Sequence, residues 1–93
     1  MINYSIIIPH YNIPELLKRC LTSIPERDDL EIIVVDDCSS STIVDFSSFP
    51  GISHQNLTII RCSQNGGGGR ARNIGLKHAL GKYVIFADAD DFF

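Results

Sequence analysis

Acidic residues gather at two places in this sequence, Asp36-Asp37 and Asp88-Ala89-Asp90-Asp91. Each group follows an apolar run, Ile32-Ile33-Val34-Val35 in the first case and Val84-Ile85-Phe86-Ala87 in the second. A third polar knot, Pro9-His10-Tyr11-Asn12, follows Ile6-Ile7-Ile8. Carboxylates packed this closely repel and raise one another's pKa unless a cation joins them. A hard divalent ion removes the conflict, and Mg²⁺ is held by one or two carboxylates together with substrate phosphates. Asp88 and Asp90 stand two apart, on one side of the chain if it stays extended. That spacing suits one carboxylate for a metal and one for a nearby ligand hydroxyl. Such a metal would bridge a diphosphate and neutralise charge on a departing phosphate. Tyr11 offers a ring on which a base could stack. The competing reading is that these aspartates merely cap following helices. It accounts more readily for Asp36 or Asp37 alone than for both clusters together.

The glycine run Gly66-Gly67-Gly68-Gly69 needs separate weighing. Gly66-x-Gly68-x-x-Ala71 satisfies the dinucleotide-binding spacing, and Asp88 lies 22 residues beyond Gly66. Against that reading, the run follows the third apolar segment and not the first, with Ser63-Gln64-Asn65 intervening. The plain alternative is a flexible loop entering a helix, whose N-terminus could still assist a phosphate or ribose. Arg70 and Arg72 open that helix, where a cation opposes the helix dipole. A basic residue in an unfavourable place hints at an anionic partner, although a solvated arginine explains it as simply. His10, His54 and His78 have no metal-ligand spacing and read as incidental. The three cysteines lack a paired histidine or a second cysteine nearby and read as packing residues.

The elements that must position these groups follow from periodicity. Ser5-Ile6-Ile7-Ile8 reads as a buried strand stopped by Pro9. Asn12 then serves as a helix N-cap with Glu15 three residues on, as in a capping box. Ile13, Leu16, Leu17, Cys20, Leu21 and Ile24 recur on one face of a helix that Pro25 ends. Leu30 to Val35 and Leu57 to Ile60 are further strands. Ile43 to Phe49 reads as a short helix before Pro50-Gly51. Arg70 to Leu80 is a helix packing through Ala71, Ile74, Gly75 and Ala79, with Gly81 just past its end. Tyr83 to Ala87 is the last strand. Apolar strands alternating with helices imply an α/β fold, three layers deep, around a parallel four-stranded sheet. Right-handed crossovers bring all the strands' carboxyl ends to one edge. In such sheets the ligand crevice lies outside those ends, and there the polar knots converge.

Composition bounds the rest. The chain has 93 residues, enough for one small domain and too few for a (β/α)₈ barrel, which needs roughly 200. With 44% hydrophobic and 20% charged residues it reads as globular. Eight basic and eleven acidic residues leave a net charge of −3, which argues against a nucleic-acid or anionic-membrane partner. Three widely spaced cysteines suggest reduced thiols in a cytosolic protein. No apolar run reaches membrane-spanning length, and MINYSIII lacks the basic opening of a signal peptide.

Taken together the segments resemble the N-terminal, nucleotide-sugar-binding half of the family 2 glycosyltransferases, a Rossmann-like half-domain of GT-A fold. Four stretches carry the resemblance in order: Ser5 to Asn12, Glu31 to Ser39, Asn65-Gly66-Gly67 with Ala71-Arg72-Asn73-Ile74-Gly75, and Tyr83 to Asp91. It spans essentially all of residues 1–93. The resemblance implies that Tyr11 and the backbone around Pro9, leading into Asn12, flank the nucleobase. Asp37 would accept a hydrogen bond from the base, usually uracil, and Arg72 and Asn73 would lie beside the nucleotide. Asp88, Ala89 and Asp90 would be the DXD motif, with Asp88 towards the ribose and Asp90 on Mn²⁺ or Mg²⁺. The implied reaction is inverting transfer of a sugar from a nucleoside-diphosphate sugar, a UDP-sugar by family habit, to a hydroxyl of a sugar or glycan acceptor. The implied setting is cytoplasmic, or peripheral to the inner face of the membrane.

Two departures qualify it. Gly68-Gly69-Arg70 replace the small or hydroxyl residues usual before Ala-Arg-Asn. The family's domain also continues past the DXD motif, so the acceptor site and the catalytic carboxylate base are expected outside this chain, and no catalytic residue is assigned within it. The expectation is half an enzyme, cut just after DXD, inactive alone and prone to self-association through an exposed sheet edge. The alternatives are a non-catalytic nucleotide-binding or interaction module and an NAD-binding Rossmann fragment. A dehalogenase-like phosphatase would want Thr or Val where Phe92 stands.

Overall fold

A computed structural model describes all of residues 1–93. The elements run β1 (Tyr4–His10), α1 (Pro14–Ser23), β2 (Leu30–Asp36), β3 (Leu57–Arg61), α2 (Gly67–His78) and β4 (Tyr83–Phe86). All four strands are parallel, in the order β3-β2-β1-β4. The two central strands, β1 and β2, are the most buried, and every residue of β2 is inside. Side chains alternate across the sheet, so the buried strand β2 feeds both cores. Ile6, Ile8, Ile32 and Val34 pack beneath Leu17, Cys20 and Leu21 of α1. Ile33 and Val35 pack beneath Ala71 of α2 on the other face. The expected three-layer α/β arrangement is therefore present.

The chain moves from β1 outward to β2 and β3, then returns through α2 to the far side of β1. Its winding direction reverses between β1 and β4, and the gap outside their carboxyl ends is the topological switch point, where ligands of open α/β sheets bind. Tyr11 and Asn12 leave β1 there, and Asp88 to Asp91 leave β4 there.

Several local expectations are corrected. The first strand continues through Pro9 to His10, with Pro9 in register with Val35. His10 O accepts the Asp37 N–H and Ile7 O accepts the Ala87 N–H. Backbone groups alternate sides along a strand, so the missing Pro9 N–H faces beyond the end of β4 and costs no ladder bond. Asn12 is no N-cap: α1 starts at Pro14 with Ile13 before it and no side-chain cap. Asn12 instead adopts φ 57°, a left-handed conformation that asparagine tolerates. Residues 43–49 form turns and no helix. Asp45 Oδ1 accepts both the N–H and the hydroxyl of Ser47, which diverts the backbone from helical bonding.

The second helix opens at Gly67, three residues earlier than expected, and ends at His78, with Ala79 extended behind it. Gly81 is no helix cap. A Cβ there would stand 2.6 Å from the backbone nitrogen of Ser5, so glycine is required for the connector to cross β1. Buried Glu31 ties down the same connector: one oxygen, Oε2, accepts the Ser5 hydroxyl and the Leu80 N–H, both at 2.6 Å.

Candidate nucleotide-sugar site at the strand ends

The switch point gathers polar groups from four segments. After β2, Asp36 and Asp37 have diverging roles. Asp36 is fully buried, and its Oδ1 accepts the Ser39 hydroxyl at 2.6 Å and faces His10 Nδ1 at 2.8 Å. Asp37 points towards the glycine run, its two oxygens accepting the N–H groups of Gly66 and Gly67 at 2.8 and 2.9 Å. Those amides belong to the unpaired first turn of α2, so a carboxylate from a neighbouring strand caps the helix. This capping is why the glycines join the helix rather than forming a loose loop. A carboxylate offers about four lone-pair sites, so Asp37, although only 5% exposed, keeps acceptor capacity beyond the two glycine amides.

After β4 the chain makes a tight turn. Asp91 N–H donates to the Asp88 carbonyl at 2.9 Å, and the Asp88 N–H donates back to Asp91 Oδ2 at 2.8 Å. The turn brings carboxylate oxygens of Asp88, Asp90 and Asp91 within 4.8 Å of one another, all three residues exposed. Between the acidic residues, Ala89 buries its methyl in the core under α1, anchoring the turn without presenting a side chain to the crevice. Arg19 of α1 donates to the Asp90 carbonyl at 3.0 Å. The Cys20 thiol beneath is pushed up to about 11, mainly by burial and then by the negative charge of Asp91.

From α2, the Arg72 guanidinium reaches to 3.6 Å from the Asp88 carboxylate. Asn73 is exposed two residues from buried Ala71, on the outer side of the helix, and is not drawn into this group. After β1, Tyr11 is 49% exposed and free to meet a flat ligand. The Asn12 Oδ1 accepts the Ser40 N–H at 2.8 Å, binding the β1 and β2 loops together. Pro9 sits half-buried within the strand.

The crevice is an open edge. Three clefts indent the surface, and Tyr11, Asp37, Asp88 and Asp90 line none of them. The chemistry, and not the concavity, marks the site. Sequence reasoning underrated three groups. Asp91 completes the acidic triad through a local turn. Arg19 was hidden among the polar positions of α1, and His10 had no motif spacing to reveal its pairing.

Comparison with known proteins bears on the family and the fold. The family described as glycosyl transferase family 2 matches residues 5–93. A poly(ribitol-phosphate) beta-glucosyltransferase of Bacillus spizizenii is 38% identical over 93 residues, covering 95% of this chain and 15% of that protein. The crystal structure of Staphylococcus aureus TarS residues 1–349 superposes with a TM-score of 0.79 at 34% identity, over 98% of this chain and 28% of that one. A mannosyltransferase from Pyrobaculum calidifontis, solved with GDP-Man and Mn²⁺, gives 0.79 at 30% identity, again over 98% of this chain and 28% of that one. This chain thus spans less than a third of each of these relatives. With its parallel sheet, its switch-point aspartates and a family match over nearly its whole length, the chain belongs to glycosyl transferase family 2.

Proposed function

We propose that residues 1–93 form the donor-binding part of an inverting glycosyltransferase that binds a nucleoside-diphosphate sugar with a divalent cation. The observation that carries this reading is the convergence of Tyr11, Asp37, Arg72 and the Asp88-Asp90-Asp91 group at one switch point. Solved TarS structures hold UDP and UDP-GlcNAc, and the mannosyltransferase holds GDP-Man with Mn²⁺, which supports the same ligand class here. UDP is the preferred nucleotide, since TarS is the more similar of the two at 34% against 30% identity.

The donor set fits a hard cation. Three carboxylates with oxygens inside 4.8 Å repel one another, and Arg72 at 3.6 Å offsets one charge at most. Asp90 and Asp88 would hold Mg²⁺ or Mn²⁺, with Asp91 closing the group. When bound, such an ion acts as a Lewis acid on the diphosphate leaving group.

The chain's own residues do the remaining work. Tyr11 stacks on the base, and Asp37 accepts from its ring N–H through a remaining lone pair. Asp88 accepts from the ribose, and Arg72 stands by the diphosphate as a fixed positive charge. The acceptor oxygen attacks the anomeric carbon as the bond to the diphosphate breaks, and the acceptor proton passes to a general base. The acidic groups at this crevice are committed to the donor, so that base lies outside them. The dinucleotide alternative loses its ground, because the glycine run follows edge strand β3 and is capped by Asp37.

Calorimetric titration of UDP with and without Mn²⁺, with NAD in parallel, tests the proposal. Metal-requiring UDP binding that disappears in Asp90→Ala is the expected outcome. NAD binding with no response to UDP overturns it.

A further inference from the structure

We infer that His10 is a positioning residue for the nucleotide site, a single neutral imidazole that sets the Tyr11 turn against the Asp37 turn. The inference rests on the nucleotide-binding reading above. His10 is 2% exposed at the end of β1. Its Nδ1 lies 2.8 Å from Asp36 Oδ1, and its Nε2 lies 3.1 Å from the Ile13 amide. Asp36 also accepts the Ser39 hydroxyl at Oδ1 and the Ser39 N–H at Oδ2. It therefore serves as an acceptor at every contact, and the shared proton belongs to His10 Nδ1. The Ile13 amide can only donate, so Nε2 must be bare. Both ring nitrogens are thus satisfied in one tautomer.

This arrangement links two loops that bear no sequence relation. The Ile13 amide hangs on His10, the Asn12 amide hangs on the Ser39 hydroxyl at 2.9 Å, and both supports rest on the Asp36 carboxylate. Asn12 is held at its left-handed φ between them. Phe49 packs on the imidazole with ring centroids 5.3 Å apart and closes its free side. Tyr11 stands next to the tethered pair on one side, and Asp37 next to Asp36 on the other. The separation of the Tyr11 and Asp37 backbones is therefore fixed before a nucleotide arrives. Preorganisation of this kind raises affinity by removing the ordering cost of binding.

Two measurements test the inference. In the ligand-free chain, long-range ¹H–¹⁵N spectra should show Nδ1 protonated and Nε2 bare, with a slowly exchanging Ile13 amide. A protonated Nε2 overturns the assignment, whatever happens to any variant. In His10→Asn the donor to Asp36 is kept and the Ile13 acceptor is lost. In His10→Gln a side-chain carbonyl reaches towards the Ile13 amide. The expected result is UDP affinity about tenfold weaker in His10→Asn, the effect of one lost buried hydrogen bond. Most of that loss should return in His10→Gln, and Mn²⁺ binding without nucleotide should be unchanged in both. Equal UDP affinity in wild type and folded His10→Asn sinks this inference alone. A wild-type chain that ignores UDP sinks both it and the proposed function.

Discussion

The Arg72 guanidinium lies 3.6 Å from the Asp88 carboxylate, joining the glycine-run helix to the acidic turn after β4. The two side chains are 43% and 68% exposed, so the pair itself contributes at most about 1 kcal/mol to stability. Its interest lies in where it leaves a cation: beside the acidic group, where a diphosphate would sit in the proposed function. Arg72→Ala should leave the urea midpoint nearly unchanged. It should weaken UDP binding by roughly tenfold or more, as expected for losing a charge-assisted hydrogen bond. Calorimetry and a urea melt on the same sample separate the two effects. Unchanged affinity would remove Arg72 from the site.

Gly75 carries a different constraint. A Cβ there would stand 2.4 Å from Ile7 Cγ2, and Ile7 is fully buried in a central strand that cannot yield. Overpacking of this kind costs about 1–3 kcal/mol, more than the gain of up to about 1 kcal/mol in helix propensity. Gly75→Ala should therefore destabilise. Gly69→Ala, in the same helix with nothing within 4 Å of the added carbon, should stabilise slightly. Chemical denaturation of the two variants should give opposite signs. Matching signs would mean that α2 does not dock on β1 as described.

The fourth strand pairs only with β1, and its residues Tyr83, Val84, Ile85 and Phe86 are all exposed. An apolar, unpaired edge invites strand addition. The chain should self-associate at micromolar concentration, and Ile85→Lys should shift it towards monomer. Sedimentation velocity decides between these outcomes. A clean wild-type monomer would refute the expectation.

The strands and α1 were legible because their signals are local. Ile13, Leu16, Leu17, Cys20, Leu21 and Ile24 repeat with the helical period, of which Leu17, Cys20, Leu21 and Ile24 are buried, and β-branched runs mark the strands. The helix expected over residues 43–49 failed for an equally local reason, since Asp45 and Ser47 satisfy the backbone in turns. The start of α2 at Gly67 depends instead on a distant contact. The amides of Gly66 and Gly67 find their acceptor in Asp37, a residue 29 and 30 positions away. No window along the chain contains that pair.

The sequence by itself determined the order of the four strands and of α1 and α2 and put the polar knots at strand ends, because periodicity and punctuation act over a few residues. Parallel pairing then forces those ends to a common edge. Only the tertiary structure decided that β4 returns beside β1, which makes their shared end the switch point. It alone seated Asp36 against His10, Asp37 against the glycine amides and Arg72 against Asp88. It also left Asn73 exposed, where the family resemblance groups it with Arg72. Those contacts join segments far apart in the chain, and their geometry is set by which faces of α1 and α2 bury against the sheet.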